Sequence, residues 1–222
     1  MTTVFTAERT LTTADLRPAT QLLARAIEDI PLYRWVLGDY LTDPALREWL
    51  AEILVRPYLK AGYVIGSFQN EHLVGVLIWH PHDVELSSDG EPPLVPDDFV
   101  RVAAIPGLRE RLIQFLTSAQ LPSPAADAVD VRIAAVLPEA RGGDALVRMM
   151  REVERFCVAA ARPYYAWTGS ERLRDWFVHE WGATLFATES RNGLDMYGVV
   201  SERPPRLRTG RAHQLRGDSV AQ

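Results

Sequence analysis

A chain of 222 residues, 47% hydrophobic and 24% charged, can bury one sizeable core, which favours a single domain and excludes a disordered chain. No apolar run reaches the length of a membrane span, the opening MTTVFTAERT has no charged-then-apolar leader, and the lone Cys157 excludes an internal disulfide and a multi-cysteine metal knuckle, so a cytoplasmic protein without a membrane partner is expected. The net charge of −5 argues against a wholly basic nucleic-acid binder, yet five arginines face two acids after Val200, giving a basic tail over 201–222 behind a body, 1–200, of net charge −8.

Strand and helix patterns alternate along the body, which predicts an α/β or α+β sheet with helices packed on it. A strand is expected over 4–9, followed by a helix capped at Thr13 with Leu16, Leu22, Leu23, Ala26, Ile27 and Ile30 on one face and a break at Pro31 and Gly38-Asp39. Asp43 opens a second helix that ends near Ala61-Gly62, and two short runs, 63–69 and 72–80, form a hairpin about Asn70-Glu71. Residues 81–96 read as a loop, and 99–116 as a helix broken at Pro106-Gly107. After a linker at 121–126 come a central strand at 129–136, a helix running to about 161 and a strand at 164–167. A helix at 170–181 and two strands at 183–189 and 194–200 complete the body.

The informative stretch is VRIAAVLPEARGGDALVRMM, a strand, Pro138, Arg141-Gly142-Gly143, then a long helix. Glycines at a helix entrance let backbone N–H groups approach an anion, and the helix dipole attracts it, so a diphosphate is the natural ligand. An ordinary strand-to-helix turn with Asp144 as N-cap has the same pattern, and the three-glycine dinucleotide fingerprint is missing. The segment resembles motif A of the GCN5-related N-acetyltransferases, and the order of elements over about 3–200 is similar to that family's. The early LLARAIEDIPLYRWVLGDY is similar to a branch of small-molecule acetyltransferases. The resemblance implies a mixed, mostly antiparallel sheet splayed at its central strand and flanked by helices, with acyl-CoA (acetyl-CoA) as donor in the cleft and a small-molecule amine attacking its thioester. It also implies that Ala134, Ala135 and Val136 present backbone groups to the pantetheine arm and that Arg141, Gly142, Gly143 and Ala145 form the pyrophosphate loop.

The chain departs from that pattern in two places. The loop from Arg141 to Ala145 is one residue short and places Asp144 beside the expected phosphates, where like charge is unfavourable. In DWFVHEWGA, the family's acid-donating tyrosine and its asparagine align with Val178 and Arg174, neither of which can take over that role. Tyr164 and Tyr165 point to opposite faces of the next strand; Tyr165 is the candidate substitute acid and Asp130, on the central strand, the candidate base, although sheet packing for the tyrosines and a solvated strand end for Asp130 are the simpler accounts. Glu28, Asp29 and Tyr33 lie where the family's acceptor often binds, with His80 as a further substrate contact, and the acids there suit a cationic amine. His80-Pro81-His82-Asp83 lacks a further ligand for a metal, and Cys157 falls among apolar helix neighbours as a core residue.

On the helix after the glycine loop, Met149, Val153, Phe156 and Ala160 mark the expected buried face, and Arg148, Arg151 and Arg155 the opposite one. A ridge of arginines suits phosphates over a longer span than one coenzyme provides, or is a solvated face neutralised by Glu152 and Glu154. Three readings therefore stand: an acyl-CoA-dependent N-acyltransferase, the same fold with aminoacyl-tRNA or an acyl-carrier protein as donor, and a binding module without catalysis.

Overall fold

The computed structural model describes residues 6–86, 95–117 and 121–206. Its strands are β1 (Thr6–Thr10), β2 (Val64–Gln69), β3 (His72–Pro81), β4 (Val129–Val136), β5 (Tyr164–Thr168), β6 (Thr184–Arg191) and β7 (Leu194–Val200). They form one sheet in the order β1-β2-β3-β4-β5-β7-β6, and every neighbouring pair is antiparallel except β4–β5. The hairpin turns are set by backbone chemistry: Asn70 and Glu71 (φ 48° and 69°) join β2 to β3, and Asn192 and Gly193 (φ 55° and 74°) join β6 to β7. Two consecutive residues with positive φ match the right-handed twist of the strands they connect.

The helices are α1 (Leu16–Ala26), α2 (Pro31–Leu37), α3 (Pro44–Ala61), α4 (Pro96–Ala103), α5 (Leu108–Thr117), α6 (Ala145–Ala159) and α7 (Glu171–Asp175). Asp43 caps α3 by accepting from the Ala45 and Leu46 amides at 2.9 and 3.3 Å, and Gly62 ends it at φ 78°. Pro31, expected to break a helix, instead starts one, because its fixed φ and missing N–H suit the first helical turn. The predicted helix over 170–181 is α7 followed by a π-helical turn, Trp176–Glu180, in which the Trp181 amide reaches back to the Trp176 carbonyl at 3.1 Å.

Two cores flank the sheet. On one face Leu22, Leu23, Ile27, Trp49, Leu50 and Val55 pack over Val76, Ile78, Ile133 and Ala135; on the other Met149, Met150, Val153, Cys157, Trp176 and Phe177 pack over Leu77, Val129, Val131 and Tyr164. β4 thus changes face partway along. Val129 and Val131 point toward α6, whereas Ile133 and Ala135, which strict alternation would put on the same side, point toward α1 and α3. The ladder with β3 shows why: Ile78 pairs with Ile133 and the next residue, Trp79, pairs with Val131, so Arg132 is a bulge without a partner. On its other edge β4 pairs with β5 only at Val129–Tyr164, Asp130–Tyr165 and Val131–Ala166. Beyond the bulge the two strands diverge, which is the expected splay at the central strand.

The buried face of α6 differs from expectation. Phe156 is half-buried and Ala160 exposed, while Glu154 is buried beside Cys157. The carboxylate is tolerated there because the Trp181 indole N–H donates to it at 2.8 Å. Of the tail, Arg203 lies within the described residues and forms a two-pronged pair with Asp127 at 2.6 and 2.7 Å; residues 207–222 lie outside them.

Candidate active site

The splay opens into a cavity of about 430 Å³. Arg132 to Val136 of β4 form one wall, Trp167 to Ser170 at the end of β5 the other, and Arg172, Leu173 and Trp176 close one side. Ile30, Leu32 and Tyr33 cover the inner end, and Arg141 to Asp144 the mouth. The β4 edge that faces this gap is unpaired. The Val136 carbonyl accepts from Arg141 Nε at 3.1 Å and so points into the gap, and because the N–H and C=O of one strand residue point the same way, and those two positions away share that direction, Ala134 also offers its backbone groups there.

At the mouth lies the start of α6, where Asp144, Leu146 and Val147 line the cavity. Asp144 occupies the N-cap position but its carboxylate caps nothing, so the amides of the first turn have no intrahelical acceptor. Gly142 holds φ 80°, which turns the loop toward the helix entrance. An N-cap role for the Asp144 side chain is therefore ruled out, and the shortened loop still presents free N–H groups at a positive helix end. Arg141 lies across this mouth, bonded to Asp29 at 2.5 Å as well as to Val136.

The structure brings Asp29, Tyr33, Ala134, Ala135, Val136, Arg141, Gly142 and Gly143 to one cavity. Ala145 is fully buried behind it and contributes through its backbone at the start of α6. Glu28 is elsewhere: it lies outside the cavity wall and pairs with Arg47 of α3. With Asp29 also paired, the acidic patch expected to draw a cationic amine is neutralised on both members.

His80, Asp130 and Tyr165 occupy matching positions on three adjacent strands, behind the cavity wall rather than in it. Tyr165 and Asp130 stand opposite one another in the β4–β5 ladder, and Asp130 lies 3.5 Å from Arg132 Nε. Burial pushes the Asp130 carboxyl above its ordinary value, with the Arg132 charge acting in the opposite direction. Burial and the neighbouring Asp130 charge push the Tyr165 hydroxyl up to about 12. Burial first, then the Arg132 charge, lowers His80, with the Val84 backbone acting in the opposite direction, and its Nε2 is buried without a hydrogen-bond partner among the described residues. Tyr164 faces the opposite core, and Cys157 is buried there with its thiol pushed up to about 12 by burial, an inert core residue.

Arg132 is the residue that sequence reasoning missed. It lies in the cavity wall with its guanidinium 5.7 Å from the Tyr58 ring centre, and it couples electrostatically to Tyr33, Asp130 and Tyr165. No sequence signal marks it, because the bulge exists only in the register with β3. Val178 and Arg174 do not reach the cavity. Val178 packs in the core, and Arg174 pairs with Asp175 at 2.7 Å and stacks on Tyr197 at 4.5 Å. From that turn it is Trp176 that enters the wall.

The expected arginine ridge is largely committed within the fold. Arg148 bonds Glu8 at 2.5 Å and approaches Ser67 Oγ at 3.3 Å, Arg151 is half-buried, and Arg155, the exposed member, pairs with Glu152. Asp83 of the histidine-rich segment is taken up by Arg162 at 2.6 Å, and no group of three possible metal ligands occurs among the described residues. No helix among them is long and apolar enough to cross a membrane.

Neither a family model nor a curated protein matches the chain. Solved structures do. The histone acetyltransferase HPA2 and related acetyltransferase of Corynebacterium glutamicum is similar at a TM-score of 0.64 and 18% identity, covering 92% of this chain and 99% of that one. The polyamine N-acetyltransferase of Drosophila melanogaster is similar at 0.56 and 14%, covering 88% and 99%. The N-acetyltransferase PaiA of Thermoplasma acidophilum, solved in complex with coenzyme A, is similar at 0.51 and 10%, covering 88% and 98%. The seven-stranded sheet, parallel only where β4 meets β5 and splayed there by a bulge, has the fold of the GCN5-related N-acetyltransferases.

Proposed function

We propose that the chain is an N-acyltransferase that moves an acyl group from acyl-CoA to the amine of a small molecule. The observation that carries this reading is the continuity of one cavity from an unpaired strand edge, at Ala134 and Val136, to a helix N-terminus with free amides. A strand edge suits the amide-bearing pantetheine arm, and a helix entrance suits the diphosphate beyond it. The coenzyme-A complex of the structurally similar Thermoplasma protein and the amine substrates in the names of other neighbours support the same assignment.

The amine nitrogen attacks the thioester carbonyl, a C–N bond forms and the C–S bond breaks, the thiol leaves and the amine loses one proton. Backbone N–H groups at Ala134 and Val136 stabilise the oxyanion formed on the way. The apolar wall of Leu32, Trp167 and Trp176 excludes water. Tyr33 lines the cavity, and burial keeps its hydroxyl protonated as a hydrogen-bond donor to the departing sulfur, which takes up the proton that the amine loses. Asp130 and Tyr165 act from behind, through Arg132, as positioning groups. The amine itself arrives unprotonated.

Calorimetric titration with acetyl-CoA and with free coenzyme A, followed by a thiol-release assay with amines, tests the reading. Binding in the micromolar range is the expected result. Absence of binding moves the donor to an acyl-carrier protein or aminoacyl-tRNA, a reading that the internal pairing of Arg148 and Arg155 does not favour.

A further inference from the structure

Arg132 is placed by the register shift in the β3–β4 ladder, which falls where β4 parts from β5. The bulge removes it from the β3 ladder, and its side chain lines the cavity with Tyr33, on the face of the sheet where Tyr58 packs. Its side chain keeps 42% of its exposure. A guanidinium has five N–H donors in a planar fork. The carboxylate within reach, Asp130, lies 3.5 Å from Nε, well beyond a charge-assisted bond of about 2.8 Å. Arg141, at the mouth of the same cavity, is by contrast bonded to Asp29 at 2.5 Å and to a carbonyl.

The surroundings of Arg132 suit an anion. The ring of Tyr58 lies beneath it, and Tyr33 lines the cavity beside it. Burial raises both hydroxyls above their ordinary values, so they stay neutral donors. The acids that would have drawn a cation are both spent, Glu28 on Arg47 and Asp29 on Arg141. Of the remaining lining, Ile30, Leu32, Trp167 and Met196 are apolar, Thr168 and Ser170 bring hydroxyls, and Asp144 and Arg172 bring one charge of each sign.

We propose that Arg132 is the receptor for a carboxylate on the acceptor, which makes the acceptor an amino acid with an apolar or aromatic side chain rather than a simple amine or polyamine. The proposal rests on the acyltransferase reading for what happens next, but not for binding. A carboxylate held in the guanidinium fork leaves the α-amino nitrogen two bonds away, and the apolar walls receive the side chain.

The test titrates the purified protein, with and without saturating coenzyme A, with three matched pairs: phenylalanine and phenethylamine, tryptophan and tryptamine, leucine and isoamylamine. At least one amino acid is expected to bind about tenfold tighter than its decarboxylated partner, the usual effect of one bond to a charged group. Arg132→Gln removes that preference, and Arg132→Lys, which keeps the charge but loses the fork, retains only part of it. A wild-type protein with no carboxylate preference in any pair overturns the proposal without recourse to a variant. So does a preference unchanged in a folded Arg132→Gln protein. Acetyl-CoA titration separates the two ideas: amino-acid binding without acetyl-CoA binding leaves the receptor standing and removes acyl-CoA as the donor, whereas turnover confined to amines without a carboxylate does the reverse.

Discussion

His80 shows what burial does to a titratable side chain that has few compensating contacts. It stands opposite Asp130 in the ladder, packs edge-on against Tyr58 and Tyr63, and feels Arg132 and His82 as like charges and Asp83 as the opposite one. Its proton affinity is lowered in the fold, so the native state binds fewer protons there than the unfolded chain does. Its contribution to stability is therefore present above the ordinary histidine value of 6.5 and is lost as pH falls below it. Thermal melts from about pH 7.5 down to about pH 5.5 are expected to show a shallower loss of Tm in His80→Gln than in the wild type; parallel curves would mean that the imidazole is not the group titrating. Gly142 makes a different point, because its φ of 80° is one that a side chain resists. Gly142→Ala is expected to weaken acetyl-CoA by about fivefold or more, from the 1–2 kcal/mol of left-handed strain, while Tm changes little because the loop is exposed.

The bulge in β4 is the clearest case of an element whose meaning lies outside its own sequence. Read alone, VDVRIAAV is a plain apolar strand with one arginine, and its boundaries, like those of the hairpin and the last two strands, were legible from turn residues and alternation. The face change between Val131 and Ile133 was not, since it depends on which β3 residue each one meets. For the same reason Glu154 was placed on the wrong side of α6: the indole N–H that makes its burial tolerable comes from Trp181, distant in sequence. The loop residues Arg141, Gly142 and Gly143, by contrast, could be placed at the cleft from local backbone chemistry and family resemblance together. Deleting Arg132 is the sharpest test of the bulge. It would bring Val131 and Ile133 into consecutive pairing with Trp79 and Ile78, with every later side chain on its present face. The deletion variant is thus expected to fold, with native circular dichroism and a cooperative melt, and to lose acetyl-CoA binding because β4 and β5 stay paired. Retained binding would show that the splay has another cause.

At the scale of the whole molecule, two packed faces hold a sheet that is continuous at one end and split at the other. Only the split end carries the cavity. What crosses its mouth is the Arg141–Asp29 pair, which links the loop before α6 to the segment between α1 and α2; nearby, Arg25 and Glu139 meet at 3.2 Å. The Asp29 carboxylate holds the arginine that a donor diphosphate would seek. Binding of the donor is then an exchange of one anion for another. Salt weakens the pair that is broken as well as the pair that is formed, so acetyl-CoA affinity is expected to vary only shallowly with ionic strength. In Asp29→Asn the arginine starts without a carboxylate, and the coenzyme should bind more tightly at low salt and lose affinity more steeply as salt is added. On the proposed acyl-CoA reading the ion pair is a buffer: occupancy of the cleft would follow donor concentration rather than the ionic strength around it.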